Sequence, residues 1–126
     1  MSKNRIGRKN KNEFKYNNST SHPNYVFEES ATKYSSVGIT HSSTTFNKKK
    51  KRDETNMPLL HNPDTNDKRP AYVRYGIITD KKQNYSKKSI KRFKFHADDF
   101  PSVKSKIRHY KKLRKKSTKK AHKKSK

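Results

Sequence analysis

The stretch "HADDFPSVKSKIRHYKKLRKK", residues 96–116, is the part of this 126-residue chain whose periodicity specifies a helix. Phe100, Val103, Ile107, Tyr110 and Leu113 recur at spacings of 3, 4, 3 and 3, which lays one apolar stripe along it. Nearly every other position is Lys or Arg. Asp98 or Asp99 supplies the N-cap and Pro101 falls in the first turn. The acids precede the helix and the cations follow, so the macrodipole is complemented at both ends. A helix over about 98–116 is therefore expected. Its single stripe needs an apolar surface to cover, which the upstream chain must provide.

That surface is expected from short strands. In "HPNYVFEES", residues 22–30, Tyr25 and Phe27 alternate with Asn24, Val26 and Glu28. "SATK" makes a turn, and "YSSVGIT", residues 34–40, returns as a second strand. Its apolar phase slips between Tyr34 and Val37, which predicts a bulge near Ser35 and Ser36. "MPLLH", residues 57–61, is too short for a helix, and Pro58 suits an edge strand. "AYVRYGII", residues 71–78, is the most strand-like segment. It sets Val73, Tyr75 and Ile77 on one face, with Tyr72, Arg74, Gly76 and Ile78 on the other. "IKRFKF", residues 90–95, alternates imperfectly and is a further candidate strand. The expected fold is α+β: an antiparallel sheet of three or four short strands packed by one C-terminal amphipathic basic helix. Val73, Tyr75 and Ile77, or the opposite set, should meet Val103, Ile107 and Tyr110. The domain is expected over residues 22–113. Residues 1–21 are read as a disordered basic arm and 117–126 as a disordered basic tail. Residues 46–56 and 79–89 are read as charged loops.

Composition sets limits on function. The hydrophobic fraction is 25% and the formal net charge +25, a combination that favours disorder outside a small core. There is no cysteine, which removes disulfides and Cys-based zinc sites. No apolar run approaches the ~20 residues of a membrane span, and the N-terminus lacks the apolar core of a secretory signal. A soluble protein of the bacterial cytoplasm, associated with nucleoid or ribosome, is the expectation. Charge is concentrated at the C-terminal end: residues 81–126 carry 20 Lys/Arg against two Asp. Such a segment repels itself until a polyanion neutralises it. Nucleic acid, DNA or RNA, is the commonest one. An acidic protein is the alternative partner. Acidic lipid fits poorly, because no apolar helix face with Trp or several Leu accompanies the charge.

The expected phosphate contacts are Lys48, Lys49, Lys50, Lys51 and Arg52 in one cluster, Arg74 on a strand, and Lys91 and Arg92 before the helix. On the helix they are Lys104, Lys106, Arg108, Lys111, Lys112, Arg114, Lys115 and Lys116. Phe93, Phe95 and Tyr110 are read as core rather than as base-stacking rings. His41, in "VGITHSSTT", residues 37–45, is either an exposed histidine at a strand end, a phosphate contact, or a general base in a set converging with His22 and His61. No carboxylate stands at a recognised spacing to it. If the chain is a small toxin-like ribonuclease, His41, Arg74 and Tyr72 are the catalytic candidates. The spacing of His22, His41 and His61 lends no support to zinc, so no metal or cofactor is expected. Asp64 and Asp67 are read as Asx-turn residues.

The order "HPNYVF", "YSSVGITHS", "MPLLHNPDTNDKRPAYVR" and then a basic helix resembles a family of small uncharacterised proteins on mobile elements of Gram-positive bacteria. The shared series is H-P, G-x-T-H-S, P-L-x-x-N-P and A-Y-x-R, over about residues 22–110. The resemblance implies a plasmid, phage or transposon setting and no activity. The reading as a whole is a basic nucleic-acid-binding protein with weak sequence specificity. A ribonuclease, and a structural protein that neutralises packaged nucleic acid, are the alternatives.

Overall fold

A computed structural model describes the backbone of residues 9–124 and the side chains of residues 9–113. Among the described residues eight strands precede one α-helix: β1 (Lys9–Asn17), β2 (His22–Glu29), β3 (Lys33–Thr40), β4 (Thr44–Asn47), β5 (Arg52–Thr55), β6 (Met57–Pro58), β7 (Tyr72–Val73), β8 (Ile78–Lys81) and α1 (Phe100–Lys124). The architecture is α+β, as the periodicities predict.

The main sheet is antiparallel, in the order β1-β2-β3-β7-β6, with β8 also on β3. β2 and β3 form the expected hairpin, closed where Ser30 N–H donates to Lys33 O at 2.9 Å. The predicted bulge lies opposite Ser35 and Ser36, with the extra residue, Phe27, on β2. Pro58 sits in β6 at the sheet edge, where its missing N–H removes no ladder bond.

The far edge of β3 is shared. Val73 and Tyr72 pair with Ile39 and Thr40, while residues 78–81 pair with 33–36. Four residues, 74–77, thus oppose two, Val37 and Gly38. The strand read over residues 71–78 exists in two pieces around this excursion. Gly76 supplies its turn with φ +91°, a conformation that costs glycine little.

Register assigns the faces, because directly paired residues point the same way. Phe14, Tyr25, Val37, Ile39 and Val73 share one face and are all buried. Helix α1 covers it. Val103, Ile107 and Tyr110 are buried against this cluster, Phe100 is partly buried, and Leu113 lies at the margin. The Tyr75 and Tyr110 rings meet at 5.1 Å, and Ile77 packs on the same cluster. Tyr75 thus meets the helix as expected, and Val73 and Ile77 belong to the same core as Val103 and Ile107. Burial raises the Tyr110 phenol to about 12.

Three expectations need correction. Residues 9–17 of the supposed disordered arm are β1. The signal was weak because Glu13, Lys15 and Asn17 alternate with Phe14 and Tyr16, so one strand face is polar; residues 1–8 lie outside the described residues. Residues 46–56 are no loop but most of the β4–β5 hairpin. Residues 90–95 form no strand: a single bridge links Phe93 to Asp64, and Ile90 and Phe95 plug the core from irregular backbone. Helix α1 runs on past the expected end at residue 116, to Lys124. Beyond Pro101 no Gly or Pro interrupts it, and Lys, Arg and Ala are good helix formers.

Asp99 occupies the N-cap position, its carbonyl accepting from Val103 N–H at 3.0 Å. Its buried carboxylate is used elsewhere. It accepts the N–H groups of Leu60 and His61 at 2.8 and 2.9 Å, pinning loop 59–61 to the start of the helix.

Candidate nucleic-acid interface

The second face of the sheet is polar. It carries Glu13, Lys15 and Asn17 of β1, His22, Asn24 and Val26 of β2, and Ser36, Gly38 and Thr40 of β3. Tyr72, paired with Thr40, continues it. One half is roofed by residues 82–88. There Tyr85 is buried, its hydroxyl 2.8 Å from Ser36 Oγ. The buried Lys15 ammonium donates to the carbonyls of Ser86 and Lys87 at 2.9 and 2.8 Å and faces Glu13 at 3.4 Å. Asn17 and Asn24 are also fully buried, and Asn24 Nδ2 donates to His22 O at 2.8 Å. Each of these polar groups has a partner, as burial requires. Of the basic loop expected over residues 79–89, residues 79–81 are instead part of strand β8, because they pair with residues 33–35; the rest covers this half of the face, and Tyr85 belongs to the core.

The other half stays open. His22, Thr40, Tyr72 and Arg74 are partly exposed, and His41 is exposed at the end of β3. Arg74 begins the excursion. Its N–H donates to Gly38 O at 2.8 Å, and its side chain crosses Gly38 so closely that Cδ lies 2.9 Å from where a Cβ would stand. Only a residue without Cβ accepts the guanidinium stem there. His22 feels both neighbours. Burial, then the Arg74 charge, then His41 lower its pKa from the usual 6.5, which favours the neutral imidazole near pH 7.

His41 is held at both ring nitrogens. Nδ1 is 3.0 Å from Pro70 O and Nε2 is 3.5 Å from Asp67 Oδ2. Asp67 is fixed by Arg69, whose side chain binds it through Nε and Nη2 and whose backbone N–H donates to it at 2.9 Å. The Arg69 bonds hold the Asp67 carboxyl far below the usual range. Asp67 and Asp64 do make the expected Asx-turns, to Arg69 and Asn66. Asp67 also supplies the carboxylate beside His41 that no spacing announced.

The expected cations fall in separate places. Arg74 lies on the open polar face. The helix is on the opposite face, so Arg74 and α1 do not form one continuous surface. Arg108 and Lys112 point to solvent, whereas Lys104, Lys106 and Lys111 lie 5.4, 5.9 and 5.1 Å over the rings of Phe100, Tyr110 and Phe27. Lys111 also pairs with Glu28 at 3.7 Å. The side chains of Arg114, Lys115 and Lys116 lie outside the described residues. Lys48–Arg52 occupy the exposed tip of the β4–β5 hairpin, where Lys50 and Arg52 approach Glu54 at 3.9 and 3.8 Å. Lys91 is exposed. Arg92 is committed to Asp64 and to the Tyr16 hydroxyl, each at 3.3 Å, and so serves the fold.

Of the three histidines considered together, His41 lies near enough to His22 to act on it electrostatically, and His61 does not join them. It stacks on His96 instead, with ring centroids 3.8 Å apart. Among the described residues no helix is long and apolar enough to cross a membrane. Segments far apart in sequence contribute to this one region: His22, Gly38 with His41, Asp67 and Arg74. No family model matches the chain, and no curated protein or solved structure is similar to it beyond chance.

Proposed function

We propose that this chain is a small nucleic-acid-binding protein that holds a phosphate at Arg74, between His22 and His41, and gains the rest of its affinity from the surrounding cations. The observation that carries this reading is the open half of the polar sheet face. Elsewhere on that face Lys15, Asn17, Asn24 and Ser36 are buried and partnered. Here a guanidinium, two imidazoles and the Tyr72 ring stand together at solvent. A guanidinium binds phosphate oxygens through several fixed donors, and a sheet surface with rings suits unstacked bases, so single-stranded RNA is the favoured ligand. The net charge of +25 supports sequence-independent attraction to the same polymer. The setting is that of a mobile element in the bacterial cytoplasm. NMR titration of the full chain with a single-stranded RNA oligonucleotide tests this: the largest shifts belong at His22, His41, Tyr72 and Arg74. Shifts confined to α1 would sink the assignment.

A second reading follows from the pairing of His22 with His41. One imidazole is biased neutral, and the other has a carboxylate at Nε2. In a ribonuclease, neutral His22 takes the proton of the 2′-hydroxyl as it attacks phosphorus. For His41 to give a proton to the departing 5′-oxygen, one ring nitrogen must turn from its acceptor, Pro70 O or Asp67, to that oxygen, while Arg74 stabilises the charge building on the phosphoryl oxygens. The products are a 2′,3′-cyclic phosphate and a free 5′-hydroxyl. Cleavage of a labelled RNA that is abolished by His41→Ala, with binding retained, would favour this reading over simple binding.

A further inference from the structure

We propose that His61, His96 and Asp98 form a binding site for a borderline divalent transition-metal ion, with Zn²⁺ as its typical occupant. The site is separate from the phosphate-binding residues and does not depend on their role.

Three observations support it. Ligand type comes first: two imidazoles and one carboxylate are a donor set that zinc takes, with a further position left for water. Second is the spacing. Asp98 Oδ2 lies 3.3 Å from His61 Nε2 and 3.4 Å from His96 Nδ1, and the three donor atoms lie within 4.8 Å of one another. Bonds of 2.0–2.2 Å in tetrahedral geometry put neighbouring ligand atoms about 3.3–3.5 Å apart. The two shorter separations are already those of a filled site, and only the two nitrogens need adjust. Third is the way the backbone is fixed. Asp99 holds the His61 N–H at 2.9 Å, and His96 O accepts the N–H groups of Asp99 and Phe100 at 2.9 and 3.0 Å. The loop bearing His61 and the turn bearing His96 and Asp98 are thus locked to each other before any ion arrives. That preorganisation removes much of the ordering cost of binding.

An ion pair alone explains less. Both imidazoles converge on one carboxylate oxygen with their rings nearly parallel, 21° apart. Two cationic rings would repel in that arrangement, whereas two neutral rings sharing an ion would not. His96 Nδ1 accepts the Asp98 N–H at 3.0 Å, so the lone pair a metal needs is present on this nitrogen and is engaged by that backbone N–H. An ion that takes this nitrogen releases an exposed N–H to water. All three residues are exposed, so the ion has a direct path in. The site also borders a cavity of about 880 Å³ lined by Phe93, Phe95 and Phe100. A metal with an open position there faces both solvent and an apolar recess.

The test uses the full chain and ZnCl₂ in competition with a chromophoric chelator, alongside histidine NMR. Wild type is expected to bind one Zn²⁺ with selective shifts of the His61 and His96 ring signals. His61→Ala and His96→Ala should each weaken that binding by more than the 10- to 100-fold that a lost outer partner costs. Asp98→Asn should weaken it less. His41→Ala and His109→Ala should leave it unchanged. Circular dichroism checks that the exposed substitutions keep the fold. Failure of wild type to bind Zn²⁺, or binding by the His61 or His96 variant as tight as wild type, would overturn the proposal. Neither result would bear on RNA binding at Arg74.

Discussion

The Arg74 side chain lies across Gly38, with Cδ 2.9 Å from the position a Cβ would take. This contact sets where the guanidinium stands relative to His22 and His41. Gly38→Ala should therefore push Arg74 aside while the β2–β3 hairpin persists. A misplaced charged hydrogen bond costs about 1.5–3 kcal/mol, so RNA affinity should fall on the order of tenfold or more. Anisotropy titration with an unchanged circular dichroism spectrum is the check. Wild-type affinity in this variant would mean that Arg74 is not positioned by Gly38.

Ile107 anchors the centre of the helix stripe and is 6% exposed, whereas Leu113 at the stripe's end is 36% exposed. Ile107→Ala should cost about 2–4 kcal/mol, and Leu113→Ala well under half of that. Chemical denaturation of both variants decides the matter. Equal losses would place the helix differently on the sheet.

Asp99→Ala should be as damaging as a core truncation. It leaves the Leu60 and His61 N–H groups without their buried acceptor, at about 1–3 kcal/mol for each group that finds no water. Asp99→Asn keeps an acceptor oxygen and should recover part of the loss in the same denaturation experiment.

His22 makes stability depend on pH in a definite direction. Its folded pKa is below the ordinary 6.5, through burial, then Arg74, then His41. The unfolded chain therefore binds the proton more readily. The contribution of neutral His22 is complete above about pH 6.5 and is lost as pH falls through the lower folded value. Asp67, Glu29 and Asp80 are shifted downward from 3.8, 4.5 and 3.8, so their contributions fade only in stronger acid. Melting temperature measured from pH 7.5 to 5 should decline more in wild type than in His22→Asn. Bound phosphate should reverse the shift and raise the His22 pKa, an effect visible by NMR.

The helix and its stripe were legible because a 3.6-residue period survives any amount of lysine. The β2–β3 hairpin and Tyr72–Val73 were legible from alternation. β1 was not, since its polar face is buried by pairing with other polar residues, and hydrophobic pattern carries no trace of that. The excursion at residues 74–77 was hidden inside an apolar run, with Gly76 as its one sign. At the candidate site, His41, Arg74 and Tyr72 could be named from the sequence because Tyr72 lies in a strand-like run and His41 and Arg74 are polar residues directly following β3 and β7. Asp67 could not, because its place beside His41 depends on how loop 59–70 folds back. His96 and Asp98 were absorbed into the helix start, and their relation to His61 exists only in three dimensions.

The most direct test of the nucleic-acid reading is a salt series by fluorescence anisotropy, with single-stranded RNA and duplex DNA, on wild type and Arg74→Ala. If about six phosphates are neutralised, log affinity should fall against log salt with a slope of about −4 on RNA and −5 on duplex. Arg74→Ala should weaken RNA binding at every salt concentration and make the slope shallower by roughly 0.7, one phosphate contact on a single strand. Deletion of residues 117–126, which removes five lysines, should flatten the slope further without changing any preference among sequences. Salt-independent affinity, or no binding to either polymer at low salt, would contradict the account and direct attention to an acidic protein partner.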